Sequence, residues 1–468
     1  MIFGLVFTSL YLIATFLRPQ ELFPELAGYN IMDWLGALAL VATLFDVLTG
    51  ARPSVRHAQT ILLAFFVFWS AFTVAAAWRW LGGAAFAFQA LSIDVFIFVL
   101  IVLNGHRIGK LDVMRYVTVA AVLVTVAFGL RAYYRGPTES RFVMTQRARS
   151  AESQGGVLSR MGAVLMGRTA GSVVDGEETD PQGGFDGDVG GGERAQAGPR
   201  VRRLRALGFL NDPNDFAQAL VALLPIAFLA WRPRSPFRIL LLVLMPTAVM
   251  LWAVWLTRSR GGLIALFGLC WFAVSERLTP RWGSLMRWLG SFGLLIVLIV
   301  FFRSGADGSA MGRLEAWSAG LQMLKGSPVW GVGFGTFGEE HELVAHNSFV
   351  HCFAELGLVG YFLWLGAIIA TLWSLDRIRQ TPDVDPDAVR WATALRASLV
   401  AFLIGALFLS RTYSVTLYFI LGLATALAGA VSTAPSEFSM PLFKLAVRTA
   451  SVLVVSILLT YLVILVGR

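Results

Sequence analysis

The run Thr257-Arg258-Ser259-Arg260-Gly261-Gly262 sets two guanidiniums beside two glycines at the head of a short apolar stretch, Gly261 to Val274. A guanidinium is a planar fork of donors that matches a pair of phosphate oxygens. Glycines let a ligand approach the backbone closely. At about 1.5 Å rise per residue, the stretch covers about 21 Å of a hydrocarbon core about 30 Å thick, so one or both arginines are expected at or below a membrane interface. Arginine there is costly unless an anion answers it. The competing reading is a pair of snorkelling arginines that anchor the helix.

A second polar segment holds Arg313 within Gly312-Arg313-Leu314-Glu315-Ala316-Trp317, then Pro328, the glycine run Gly331 to Gly338, and finally His346-Asn347. The glycine run has the letters of a dinucleotide fingerprint, but no strand precedes it and no βαβ unit fits around it. It is read as a backbone turn. His341, His346 and His351 are five residues apart; on a helix each would turn about 140° from the last, so they do not converge as i,i+4 metal ligands would. No metal is expected. His346 is either a proton acceptor or an ordinary cap or interfacial residue. Asp186 with Asp188, and Asp383 with Asp385, have the Asp-x-Asp spacing of metal-dependent sugar transfer, but the first pair sits in a low-complexity tract and the second falls on the opposite side of the membrane from the other candidates. Asp94, near the middle of a span, is functional or internally paired, as an intramembrane carboxylate must be. Asn211-Asp212-Pro213-Asn214-Asp215 either caps the helix that follows or faces the same outer cavity.

Membrane-spanning helices must position these groups. Of 468 residues, 57% are apolar and 14% charged, and the mean hydropathy is +0.69. At about 20 residues per span, this apolar content could fill about thirteen spans, which excludes soluble enzyme folds. Apolar runs occur at about 2–17, 31–48, 60–77, 84–103, 113–130, 216–231, 237–256, 261–274, 285–302, 349–373, 391–409, 413–431 and 445–466. Each must be helical, because lipid offers no partner to a free backbone amide. The first lacks a basic n-region and a small-residue cleavage site, so it is expected to be a retained span. Cys270 and Cys352 are too few for a disulfide scaffold or a thiolate zinc site. The net charge of +9 would suggest nucleic acid in a soluble protein, but here the basic residues belong to the bilayer and no nucleic-acid partner is expected.

Alternate short loops carry seventeen basic residues on one side, from Arg52 to Arg448, against Arg18, Arg79, Arg258, Arg260 and Arg411 on the other. The richer side is expected to be cytoplasmic, with the N-terminus inside and two long loops outside. An odd span count would put the C-terminus outside. The expected organisation is all-α and polytopic, with about 12–13 transmembrane helices: N-terminal spans (1–130), a basic, low-complexity outer loop (131–210), central spans (211–302), a second outer loop (303–348) and C-terminal spans (349–468). The first loop has basic flanks, Arg131 to Arg149 and Arg200 to Arg205, around a Gly/Asp-rich tract from Asp175 to Glu193 that is expected to be disordered. The flanks either rest on anionic membrane lipids or are simply solvated.

Taken in order, Ser259-Arg260-Gly261, Gly312-Arg313 through Ser327-Pro328 and the glycine run, then His346-Asn347 followed by Glu355-Leu356-Gly357-Leu358-Val359-Gly360, resemble the O-antigen ligase and polymerase superfamily. Asp212-Pro213-Asn214 with Phe216-Ala217 fits too, so the resemblance covers about residues 207–373. It implies an enzyme of the bacterial inner membrane that takes a glycan from undecaprenyl diphosphate on the periplasmic face and passes it to the hydroxyl of a glycan or lipid acceptor, without cofactor, nucleotide sugar or metal. By position, Arg260 and Arg313 would hold the diphosphate and His346 would be the catalytic histidine. Arg258, Asn347, Asp212 and Asn214 are supporting substrate-binding candidates. Guanidiniums can stabilise charge on a departing diphosphate, and neutral imidazole can take a proton from a sugar hydroxyl. A transporter or lipid-linked oligosaccharide flippase is the alternative. It calls for inverted halves and interruptions in matched spans, whereas the arginines and histidine collect on one face.

Overall fold

The computed structural model describes residues 2–26, 28–51, 53, 55, 57–136, 140–150, 172–174, 200–231, 235–303, 308–341, 343–432 and 437–467. The molecule is all-α and polytopic, and each expected apolar run is a helix. These are α1 (Phe3–Leu17), α2 (Ile31–Leu48), α3 (Ala58–Trp78), α4 (Leu81–Asn104), α5 (Ile108–Arg135), α6 (Pro213–Phe228), α7 (Pro236–Leu256), α8 (Arg260–Ser275), α9 (Pro280–Arg303), α11 (Ser348–Gln380), α12 (Pro386–Ala406), α13 (Val415–Val431) and α14 (Leu442–Gly467), with α10 (Gly308–Gly326) between α9 and α11. Among the described residues, eight helices are long and apolar enough to cross a membrane, while α6, α8 and α13 are shorter apolar helices.

Three expectations need correction. The segment from 303 to 348 is not simply a loop, because α10 occupies much of it. Leu314, Trp317, Leu321 and Leu324 recur at helical spacing and turn one face inward. The flanks of the first outer loop are not free either. Strand β1 (Val143–Ser150) pairs antiparallel with both β2 (Ser172–Val174) and β3 (Arg200–Leu204), in the order β2-β1-β3. Val143 lies opposite Leu204, both buried, and Thr145 opposite Arg202. Pairing with β1 holds Arg202 and Arg203 next to the helix ends. The Asp175–Glu193 tract, with Asp186 and Asp188, lies outside the described residues. Finally, α8 has 16 residues, two more than the apolar run, because the Ser259 hydroxyl accepts from Gly262 N–H at 3.1 Å and starts the helix at Arg260.

The charges divide between two ends. At one end Glu276, closing α8, is gripped by Arg379 of α11, by Arg396 of α12 at 2.6 Å and by Arg287 of α9 at 3.1 Å. Arg390 and Arg115 meet the ends of α6 and α12 there. Asp385 caps α12 at this end, which accounts for one carboxylate of its Asp-x-Asp pair. Lys444 lies 4.5 Å from the Trp373 ring, and further along Tyr361 bonds Ser456 at 2.7 Å. Helix α14 therefore runs antiparallel to α11 and ends on the side where α11 begins.

The helices α6 and α13 are buried nearly all round, and α11 and α12 over much of their length, which marks them as the centre of the bundle. Outward faces carry large exposed apolar side chains such as Phe65, Trp288 and Phe443, as a lipid surrounding favours. Polar residues inside the spans return their donors to the preceding turn, as Thr43 does to Ala39 O at 2.6 Å and Ser70 to Phe66 O at 2.9 Å.

Helix α11 breaks at Gly357, where φ is 64° and ψ −168°. The kink frees backbone carbonyls that the glycine run then satisfies. Val332 N–H donates to Ala354 O at 3.0 Å and Gly333 N–H to Glu355 O at 2.9 Å, while Leu358 N–H donates to Pro328 O at 2.8 Å. Gly331, Gly333 and Gly335 all have positive φ, so the run is a turn, as its composition suggests. A Cβ on Gly357 would sit 2.3 Å from Val329 O. Gly357→Ala is therefore expected to cost at least about 1–3 kcal/mol of stability, seen as a lower melting temperature of the purified protein in detergent. An unchanged melting temperature would contradict this account of the kink.

Candidate active site

At the other end the starts of α6, α8 and α11 come together, each with a side-chain cap. Asp212 accepts from Asn214 N–H at 2.7 Å and Asp215 N–H at 3.3 Å; Ser259 caps α8 as above; and Asn347 accepts from Phe349 N–H at 2.9 Å and Val350 N–H at 3.2 Å. Helix N-termini present N–H groups and partial positive charge, which suits an anion. Gly262 lets α6 and α8 approach, since a Cβ there would meet the Ala217 methyl at 2.6 Å. Arg203 of β3 ties the start of α6 to the turn between α7 and α8, donating from Nε to Thr257 O and from Nη2 to Asn214 Oδ1, each at 2.9 Å.

His346 sits directly before the α11 cap with φ 46°. The indole of Trp317 donates to Ala345 O at 2.9 Å, so α10 holds the residue next to it. One turn earlier on α10, Arg313 is within electrostatic reach of the imidazole, as is Asp212 from the start of α6. Burial chiefly, with help from the Arg313 charge, pushes the His346 pKa down to about 4 against the opposing pull of Asp212. The imidazole is thus neutral at pH 7. Asp212 also faces Arg203, Arg205 and Arg411. Arg260, exposed on the first turn of α8, adds its charge beside Arg203. Burial lowers the Arg203 pKa, and Arg260 adds to this against Asp212.

Residues 245–365 match the family model described as O-Antigen ligase. That match, over about a quarter of the chain, supports the O-antigen ligase superfamily. No curated protein matches it. With the membrane-length helices, the match supports a multi-pass membrane protein with glycosyl transfer of ligase or polymerase type, and it implies a lipid-linked glycan and an acceptor as substrates in general. The matched segment spans the end of α7, α8, α9, α10, the glycine run and the first half of α11, and so contains Arg258, Arg260, Arg313, His346 and Asn347. Asp212 and Asn214 lie outside it.

The seven residues singled out from the sequence all lie at this end, in differing situations. Arg313 and Asp212 each act on His346, Asp212 acts on Arg203 as well, and Arg203 in turn bonds Asn214 and feels the charge of Arg260. Arg258 has φ 54° and lies over the Trp255 ring at 5.4 Å. The side-chain oxygens of Asp212, Asn214 and Asn347 accept hydrogen bonds that build the site. The three histidines do not share a helix: His341 ends a short turn of helix and bonds Leu343 N–H at 3.1 Å, and only His351 lies in α11.

Two groups at this end escaped the sequence reading. Arg411, read only as a loop charge, makes a bidentate ion pair with buried Asp215 and, with Arg18, faces Asp94. Glu355 is a wholly buried carboxylate in α11. The rule that drew attention to Asp94, that a carboxylate in a span needs a partner, applies equally to Glu355. Asp212→Ala removes the α6 cap and is expected to lower stability by about 0.5–2 kcal/mol, measured by thermal unfolding in detergent. A variant as stable as the parent would show that the cap is redundant.

Proposed function

We propose that the protein transfers or polymerises a glycan from undecaprenyl diphosphate to an acceptor hydroxyl on the periplasmic face of the bacterial inner membrane, by metal-independent single displacement. Arg260 and Arg313 hold the diphosphate, and His346 acts as general base. Arg258, Asp212, Asn214 and Asn347 shape the surrounding site. The observation that carries this reading is a neutral imidazole set beside Arg313 at the meeting point of capped helix N-termini.

In the proposed step, His346 takes the proton as the acceptor oxygen bonds to the anomeric carbon. The bond from that carbon to the diphosphate oxygen breaks, and its electron pair leaves with the diphosphate. One displacement inverts the anomeric centre. Charge grows on the departing oxygens where the guanidiniums stand ready, so their stabilisation is larger in the transition state than in the ground state. A bound diphosphate also favours the protonated imidazole. Donor binding would therefore raise the His346 pKa toward the range where it is a useful base.

The test is transfer by the purified protein in vesicles, from undecaprenyl-diphosphate-linked glycan to acceptor. His346→Ala is expected to lower kcat by about 10²- to 10⁴-fold while still binding donor, whereas Arg260→Ala and Arg313→Ala weaken donor binding as well. Folded variants with full activity would refute the assignment. Ligase and polymerase separate in a deletion strain: full-length chains stranded on the carrier indicate a ligase, short chains a polymerase.

The pH profile is a second test. Activity requires neutral His346, so it is lost as pH falls through the imidazole pKa. The acid limb of kcat/KM, which reports the free enzyme, is expected well below the ordinary histidine range, toward about 4. The limb of kcat is expected at higher pH. An acid limb of kcat/KM near 6.5, the ordinary histidine value, would contradict the environment described for His346.

A further inference from the structure

The Glu355 carboxylate meets four partners from three parts of the chain. Oε1 accepts from Phe337 N–H at 3.1 Å and lies 3.2 Å from His351 Nε2; Oε2 accepts from Gly335 N–H at 3.0 Å and from the Tyr413 hydroxyl at 2.7 Å. The other nitrogen of His351 lies 3.1 Å from the Thr412 hydroxyl. The cluster is packed on itself, with the Tyr413 ring 4.5 Å from Phe334 and 5.3 Å from His351. It stands apart from the groups assigned to catalysis, yet it holds a part of the chain that touches them.

That part is Phe337. Its ring is buried and lies 6.1 Å from the His351 ring. It also lies against Gly320 of α10, where an added Cβ would come 3.4 Å from the Phe337 ring and 2.5 Å from Val350 of α11. Phe337 is therefore a wedge at the seam of α10 and α11, beside the notch at Gly320 that admits Val350 of α11. Trp317, bonded to Ala345 O, and Arg313, facing His346, precede Gly320 on the same helix.

We propose that Glu355, by holding Phe337 between α10 and α11, fixes the distance between Arg313 and His346, and so is a positioning residue for the transfer step. The inference rests on the roles proposed above for those two residues. A carboxylate suits this task because both oxygens only accept, and each oxygen here receives a backbone N–H. A glutamine in its place has one accepting oxygen. Whichever way its amide is turned, Phe337 N–H or Gly335 N–H faces an NH2 group and loses its partner, at a buried site where an unmade bond is costly.

The charged groups facing His346 are Arg313 from α10 and Asp212 from the start of α6. If the wedge loosens, Arg313 acts less strongly on the imidazole, and the imidazole accepts a proton more readily. The same vesicle assay, with undecaprenyl-diphosphate-linked glycan and acceptor, is run across pH on E355Q and on Phe337→Ala, which spares the carboxylate cluster and removes only the wedge. Both are expected to lose at least tenfold in kcat, and both to move the acid limb of kcat/KM to higher pH. A folded variant at the parental rate, or one that loses rate with an unmoved limb, overturns the inference. If E355Q does not fold, Tyr413→Phe, which removes one partner of the carboxylate, is held to the same shift in the limb and refutes the inference without it. Full activity of His346→Ala in the parallel assay overturns instead the reading on which the inference rests.

Discussion

A charged side chain among lipid-facing helices has to be answered by an opposite charge or by several hydrogen bonds, and this requirement organises the molecule at both ends. At one end a single carboxylate, Glu276, gathers Arg287, Arg379 and Arg396 from three helices and locks α8, α9, α11 and α12 together. At the other end carboxylates are shared among arginines from several elements. Asp215 is taken by Arg411, Asp94 faces Arg18 and Arg411, and Asp212 is shared among Arg203, Arg205, Arg411 and His346. Arg260 and Arg313 add to that side. Three helix N-termini carry partial positive charge to the same place. The proposed diphosphate would meet these guanidiniums and helix ends together.

Rigid placement follows from the same economy of polar groups. The α11 kink would leave carbonyls bare in an apolar setting, and the glycine run covers them with its own N–H groups. That run can lie so close only because Gly331, Gly333 and Gly335 adopt positive φ. Its far end presents two more N–H groups to Glu355. The loop thereby becomes part of the packing between α10 and α11, the helices that bear Arg313 and carry His346 at their junction.

Much of this was legible in the sequence. Apolar runs of span length can only be helices in lipid, so the thirteen segments were readable from hydropathy, and the uneven distribution of arginine separated the two ends. Helix α10 was hidden by its mixed polarity, because the buried stripe through Leu314, Trp317 and Leu324 is narrow. The β1–β3 pairing was hidden because its two strands are separated by a long polar tract. Asp212 was legible as a cap from its position before Pro213. Its contact with His346, more than 130 residues away, depends on tertiary packing that no local pattern encodes. The Glu355 cluster was missed for the same reason, since its partners come from the glycine run, from α11 and from the turn before α13.

The most direct test of the central claim is a structure of the protein with undecaprenyl-diphosphate-linked glycan bound in a lipid nanodisc. The account predicts diphosphate oxygens within hydrogen-bonding distance of both Arg260 and Arg313, with the His346 imidazole on the face of the anomeric carbon opposite the leaving oxygen. Diphosphate density at the Glu276 end, or at the same end but away from both guanidiniums and the imidazole, would contradict it.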